Sequence, residues 1–240
     1  MNLTMNTTFI VSGQLAKVFT WDTGTSLGDV SGHSKRILSC SFKPSRPIRL
    51  MTSGEDAKVI FHTGPPFKFD HSVATHTNYV NAIRYSPNGT LVVTVSSDKK
   101  IQLYDGVTGH ATVDVPNAHN GSIYGVTWSP DSTRLLTVSA DKTAKLWDLN
   151  LNCLRTFTYS PNPQLGDVQV SSLWTPDVLL TVSLNGNINY LDVESSSEPL
   201  KQLQGHQVAI TCLTYDPDTK TVFFFPLYFI NSFVMMAVSR

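Results

Sequence analysis

His119, Ser139 and Asp141 place an imidazole, a hydroxyl and a carboxylate within one short segment, the three groups a hydrolytic relay would need. The set is not unique: His76, Ser96 and Asp98 stand 43 residues earlier. His33 and Asp56 extend the series, with Gly54 at the hydroxyl position. An active site is needed once, whereas these groups return at each interval. The recurrence predicts a structural role, a buried chain running from the Asp141 carboxylate through the His119 imidazole and the Ser139 hydroxyl to the indole N–H of Trp147. No nucleophile elbow, phosphate loop or zinc spacing accompanies it, so the sequence predicts no enzyme, no cofactor and no metal site. His62 and His71 stand alone and read as surface or degenerate repeat positions, not ligands.

The elements that would position these groups follow from the interval. Asp56, Asp98, Asp141 and Asn185 are separated by 42, 43 and 44 residues, and the residue six further on is His62, Tyr104, Trp147 and Leu191 in turn. Trp21-Asp22 fits the same ladder, and Gly32-His33, Thr75-His76, Ala118-His119 and Gly205-His206 form a second. In the cleanest copy, apolar alternation marks strands at 123–128, 135–139 and 144–147, separated by Ser-Pro-Asp-Ser and Ala-Asp-Lys-Thr turns, with Cys153–Thr158 as the outer strand. The period resembles that of the WD40 repeat, each unit giving a four-stranded propeller blade. The expected fold is all-β, an incomplete WD40-type β-propeller of about five and a half blades of four-stranded antiparallel sheets. It comprises the outer part of one blade (8–30), four whole blades (33–72, 76–115, 119–158 and 166–204) and an opening strand at Val208–Tyr215. An array stopping mid-blade leaves unpaired edges, so the chain reads as a piece of a larger protein.

Equal counts of 18 acidic and 18 basic residues among 240 leave no global field to recruit nucleic acid or an acidic membrane. Cys40, Cys153 and Cys212 are odd in number and sit in apolar runs, which predicts reduced, buried thiols in a cytosolic protein. The N-terminus lacks a basic stretch and a long apolar core, so no secretory signal is expected. The repeat is expected to end at residue 220, giving a partial propeller over 1–220 and an aberrant hydrophobic tail over 221–240. Within the tail, 222–238 carry no charge, but Pro226, Asn231 and Ser232 interrupt them and the run is short for a membrane helix. Altered splicing, a tail anchor and a diverged core strand are the three readings; membrane association is not expected.

One run departs from the generic repeat. In Gly64-Pro65-Pro66-Phe67-Lys68-Phe69 two prolines fix the backbone and remove two donors at the start of an outer strand. Alternation there points Phe67 and Phe69 to one face and Lys68 to the other, as a protein-binding anchor or as blade packing with a solvated lysine. This block, with VFTWDTGTSLGDVSGH (18–33), the run at 119–148 and LW…LLTVSLNGNINYLD (173–192), resembles the actin-interacting protein 1 family over about residues 10–220. That resemblance implies a cytoplasmic, cytoskeletal WD-repeat protein that cooperates with cofilin to promote disassembly of actin filaments, with actin and cofilin as partners. It implies partner contacts at Glu55 or Asp56, at Lys68 and Phe69, and at Tyr79. The alternative is a general WD scaffold such as a ubiquitin-ligase substrate receptor. Receptors of that kind tend to carry Arg two residues after the WD aspartate, where this chain has Gly24, Val107, Asn150 and Glu194.

Overall fold

The computed structural model describes residues 7–12, 15–20, 23–194, 196–204 and 209–226. Short runs rich in Val, Ile, Leu and Thr, punctuated by Asp, Gly, Ser and Pro, fold as strands and tight turns. Strands β1 (Thr7–Ser12), β2 (Leu15–Thr20) and β3 (Ser26–Val30) form a three-stranded sheet. Four meanders of four strands follow. The second sheet has β4 (Ile37–Phe42), β5 (Arg49–Gly54), β6 (Val59–Thr63) and β7 (Lys68–Val73). The third has β8 (Val80–Tyr85), β9 (Leu91–Ser96), β10 (Ile101–Asp105) and β11 (Ala111–Val115). The fourth has β12 (Ile123–Trp128), β13 (Leu135–Ser139), β14 (Thr143–Trp147) and β15 (Cys153–Thr158), and the fifth β16 (Gln169–Trp174), β17 (Leu179–Ser183), β18 (Asn187–Leu191) and β19 (Lys201–Gln204). A final pair is β20 (Ile210–Asp216) with β21 (Thr221–Pro226). All pairings are antiparallel, as the incomplete WD40-type propeller requires.

From the second sheet onward the first strand of each sheet packs beside the first strand of the next, so β4, β8, β12, β16 and β20 line the inside. Side chains tie these strands together at the repeat interval: Ser41 Oγ accepts from the Tyr85 N–H at 2.9 Å, and Trp128 Nε1 donates to the Arg84 carbonyl at 3.1 Å. Each seam between sheets holds its own apolar core. Val93, Val95 and Leu103 of the third sheet meet Trp128, Leu135 and Trp147 of the fourth, and Val138, Leu146 and Phe157 of the fourth meet Leu179 and Leu191 of the fifth. This neighbour-to-neighbour burial is the main source of cohesion, because no sheet covers both its faces alone.

Two expectations change. Thr221–Pro226 pairs with β20 from Asp216↔Thr221 to Ile210↔Pro226, so the second strand thought to be missing is present and residue 220 lies in the turn between the two. Val222 and Phe224 pack into the last seam while Phe223 is exposed, the alternation of an ordinary strand hidden in sequence by the run of three phenylalanines. Cys40 is buried as expected, and burial pushes its thiol up to about 12, but Cys153 is exposed because it opens the outermost strand of its sheet. Trp21-Asp22, Gly205-His206, Val208, and the side chain of Cys212 lie outside the described residues, as do 227–240 and the anchor reading placed on them. Among the described residues no helix is long and apolar enough to cross a membrane.

Candidate partner-binding site

The relay in the fourth sheet exists, but its hydroxyl is not Ser139. His119 Nδ1–H donates to Asp141 Oδ2 at 2.8 Å, and its Nε2 faces Thr137 Oγ1 at 2.8 Å. Trp147 Nε1 donates to the same Thr137 oxygen, also at 2.8 Å. With Nδ1–H donating to the carboxylate, Nε2 is left to accept the threonine O–H. Ser139 lies one turn nearer the strand end, where its Oγ accepts the Asp141 N–H at 3.1 Å and caps the turn. The third sheet repeats this correction. His76 bridges Asp98 at 2.9 Å and Thr94 at 2.8 Å, and Ser96 caps the Asp98 turn at 3.1 Å. The hydroxyl of Tyr104 turns instead to Thr75.

The second sheet has a whole relay, with an imidazole in place of the indole. Asp56 holds His33 at 2.9 Å, His33 reaches Thr52 at 3.0 Å, and Thr52 meets His62 Nε2 at 3.2 Å. His62 is therefore the degenerate repeat position of the two roles expected for it, buried at 1% exposure, while His71 stacks on Phe61 with ring centroids 4.4 Å apart. In the fifth sheet the indole position is Leu191 and the histidine is missing, and Gln169 and Asn189, from neighbouring strands, both donate to Ser183 Oγ instead. Thr137, Thr94 and Thr52 are fully buried, so these Asp–His–Thr sets are closed to any substrate and act as internal braces. For Asp98 and Asp141, burial alone would raise the carboxyl pKa. Bonds from histidine and from the neighbouring backbone N–H outweigh it, holding Asp98 at about 2 and Asp141 lower still.

The five expected contact residues separate into two groups and one that is internal. Asp56 belongs to the relay: its side chain is 3% exposed and also accepts the Ser34 N–H, so its role is structural and Glu55 is the carboxylate nearer the surface. Glu55 pairs with Arg36 at 2.6 Å. Tyr79, 46% exposed, occupies the place in the third sheet that Arg36 holds in the second: the carbonyl of each accepts the N–H at the following β-turn, Glu55 and Ser97 respectively. Glu55 and Tyr79 thus share one end of the sheets.

Lys68 and Phe69 open β7 at the other end, a strand length of roughly 15 Å away. Both are exposed, Phe69 at 52%. Phe67 does not share their surface. It precedes the strand and turns inward at 4% exposure, its ring edge-on to Phe42 at 5.6 Å and its N–H bonded to the Leu27 carbonyl of β3. The proline pair thus closes the first seam with Phe67 and starts β7 one residue later, breaking the alternation read from sequence. Gly32, at φ +119°, makes room for the Phe69 ring: a Cβ there would lie 3.1 Å from it. The other face of the ring remains open, and its edge contacts His62 at 6.5 Å between centroids.

Repeating four-stranded sheets joined by apolar seams and braced by buried relays define a propeller-type repeat protein. The profile described as WD domain, G-beta repeat matches residues 24–62, 67–105, 111–148 and 197–223, and the chain belongs to that family. Within it the chain is 46% identical over 200 residues to WD repeat-containing protein 1 of Bos taurus, covering 82% of this chain and 33% of that protein. It is 47% identical over 208 residues to Actin-interacting protein 1-2 of Arabidopsis thaliana, covering 83% and 34%. The likeness to the actin-interacting protein 1 family read from the GPPFKF block is thereby matched along most of the chain. The chain spans about a third of the length of these relatives.

Proposed function

We propose that this chain is an actin-binding WD-repeat protein of the cytoplasm and cytoskeleton that cooperates with cofilin in the disassembly of actin filaments, acting by binding and without chemistry of its own. Support comes from a similar protein whose name records actin interaction. The observation that carries the reading is an aromatic and a cation, Phe69 and Lys68, held in the open on an outermost strand while every relay hydrogen bond is made by other residues. Large rigid side chains exposed beside a cation are the usual anchors of protein interfaces. Glu55 and Tyr79, at the opposite end of the sheets, form a second contact, so the partner surface runs from the outer strand of the second sheet to the turns at the far end of the second and third.

The test is cosedimentation of the chain with cofilin-decorated filaments, compared with bare ones. Replacing Lys68 and Phe69 together by alanine should abolish the preference for decorated filaments and shift the unfolding free energy by ~1 kcal/mol or less, as at exposed positions generally. A folded double variant that still binds decorated filaments fully would refute the assignment.

A further inference from the structure

The rim of the second sheet carries a cationic row that the blade leaves unneutralised. Register sets Arg49 on β5 opposite Thr63 on β6, and Thr63 opposite Lys68 on β7. Cross-strand partners share a face, so Arg49 and Lys68 point to the same side, two strand spacings or about 10 Å apart. Met51 and Phe61, which share that face, pack against Val80, Ile83 and Tyr85 of the third sheet. The row therefore borders the seam between the second and third sheets.

Part of the Arg49 guanidinium is left unbonded there. Its Nε is buried without a hydrogen-bond partner, and among the described residues neither Arg49 nor Lys68 has a carboxylate within ion-pair distance. Other surface cations do: Arg36 has Glu55, Lys100 has Asp114 and Arg134 has Glu194. A third cation lies close by. Lys43, 5% exposed, gives its ammonium to the Ser45 carbonyl and hydroxyl and the Arg46 carbonyl, and burial together with the Arg49 charge lowers its pKa. Asp105 is the counter-charge that acts on Lys43, yet its carboxylate is turned to its own loop, accepting from the Val107 and Thr108 N–H groups and the Thr108 hydroxyl. A buried guanidinium Nε–H with no acceptor is a standing cost that a carboxylate bound to the half-exposed guanidinium would remove.

We propose that Arg49, with Lys68 beside it, seats a carboxylate of an acidic segment of a protein partner laid along this seam. Val107, 46% exposed on the facing turn of the third sheet, gives the segment an apolar flank. One arginine and one lysine beside a seam suit a peptide carboxylate better than a membrane, which needs a broad polybasic plane that a chain of zero net charge lacks. The inference rests on the actin and cofilin reading only for the identity of that partner.

The 240-residue chain is titrated with fluorescein-labelled hexaglutamate, with inorganic phosphate and phosphatidylserine vesicles as parallel arms. Hexaglutamate should bind saturably and weaken with salt. Arg49→Gln should reduce its affinity about tenfold, the loss of one charge-assisted pair, and Lys68→Gln about threefold. Lys17→Gln, on the first sheet, should change nothing. Equal binding by the native chain and both rim variants overturns the proposal, as does a preference for vesicles or phosphate. Should Arg49→Gln unfold, as its urea midpoint would report, Lys68→Gln on the exposed strand decides. A chain that binds hexaglutamate through Arg49 but ignores cofilin-decorated filaments keeps the seat and refutes the actin reading. One that binds filaments but not hexaglutamate does the reverse.

Discussion

Replacing Thr137 by valine keeps the shape of the side chain and removes one oxygen, and the consequences can be counted from the bonds around it. That oxygen receives the Trp147 indole N–H at 2.8 Å and faces His119 Nε2 at 2.8 Å, and the site admits no water because Thr137 is fully buried. The substitution strands an indole donor and an imidazole acceptor, each costing about 1–3 kcal/mol when left unpaired, so a loss of about 2–6 kcal/mol is expected. Ser139→Ala removes one bond from the Asp141 N–H at a turn and should cost about 1 kcal/mol. The assay is urea denaturation followed through tryptophan emission, with midpoints compared at unchanged slope. If Ser139→Ala costs as much as Thr137→Val, the hub assignment is wrong and the serine carries the relay after all.

Acidification should unfold the chain in two windows. His62 is held neutral, its pKa lowered to about 4, first by burial and then by the His33 charge against a weak opposing pull from Asp70. A depressed pKa means stability is whole above the unfolded value of about 6.5 and is lost as pH falls towards 4, here by about 3 kcal/mol. His62→Trp, the residue used in the fourth sheet, should flatten that slope in urea titrations from pH 7 to 4. Asp98, lowered from 3.8 to about 2, keeps its contribution above 3.8 and loses about 2 kcal/mol as pH falls through that interval, a slope that Asp98→Asn should remove. A thiol reagent should label exposed Cys153 promptly in the native chain and reach Cys40 only on unfolding; prompt modification of Cys40 at a Cys153→Ser background would contradict its burial.

The relay hydroxyl is legible in the sequence as a complete threonine series. Thr52, Thr94, Thr137 and Thr181 lie four residues before the anchors of the Asp and Asn ladder in every copy, whereas the serine series is interrupted by Gly54. Completeness of a series was the better guide than nearness to the aspartate. The inward turn of Phe67 was not legible in the same way. Alternation holds only inside a strand, and β7 starts at Lys68 because the two preceding prolines lack the N–H groups that pairing needs. Nor could a propensity reading of Thr221–Pro226 succeed, since a strand whose exposed position is also phenylalanine shows no polar alternation.

The phase of the repeat explains why the blades cohere although their braces differ. Three of the four matches to the family profile begin near an outermost strand and run through the three inner strands of the following sheet: 24–62 takes β3 with β4 to β6, 67–105 takes β7 with β8 to β10, and 111–148 takes β11 with β12 to β14. A sequence unit therefore spans a seam, and selection on any one unit acts on the contact between two sheets. The fifth sheet shows the consequence. The profile passes over 149–196, where Gln169 and Asn189 bond Ser183 in place of an Asp–His–Thr relay, yet Leu179 and Leu191 still fill the core shared with Phe157 and Tyr159, and the Tyr159 hydroxyl bonds Thr181 across the seam at 2.8 Å. Burial across the seam tolerates loss of the polar relay, which frees outer strands such as β7 to carry residues chosen for a partner.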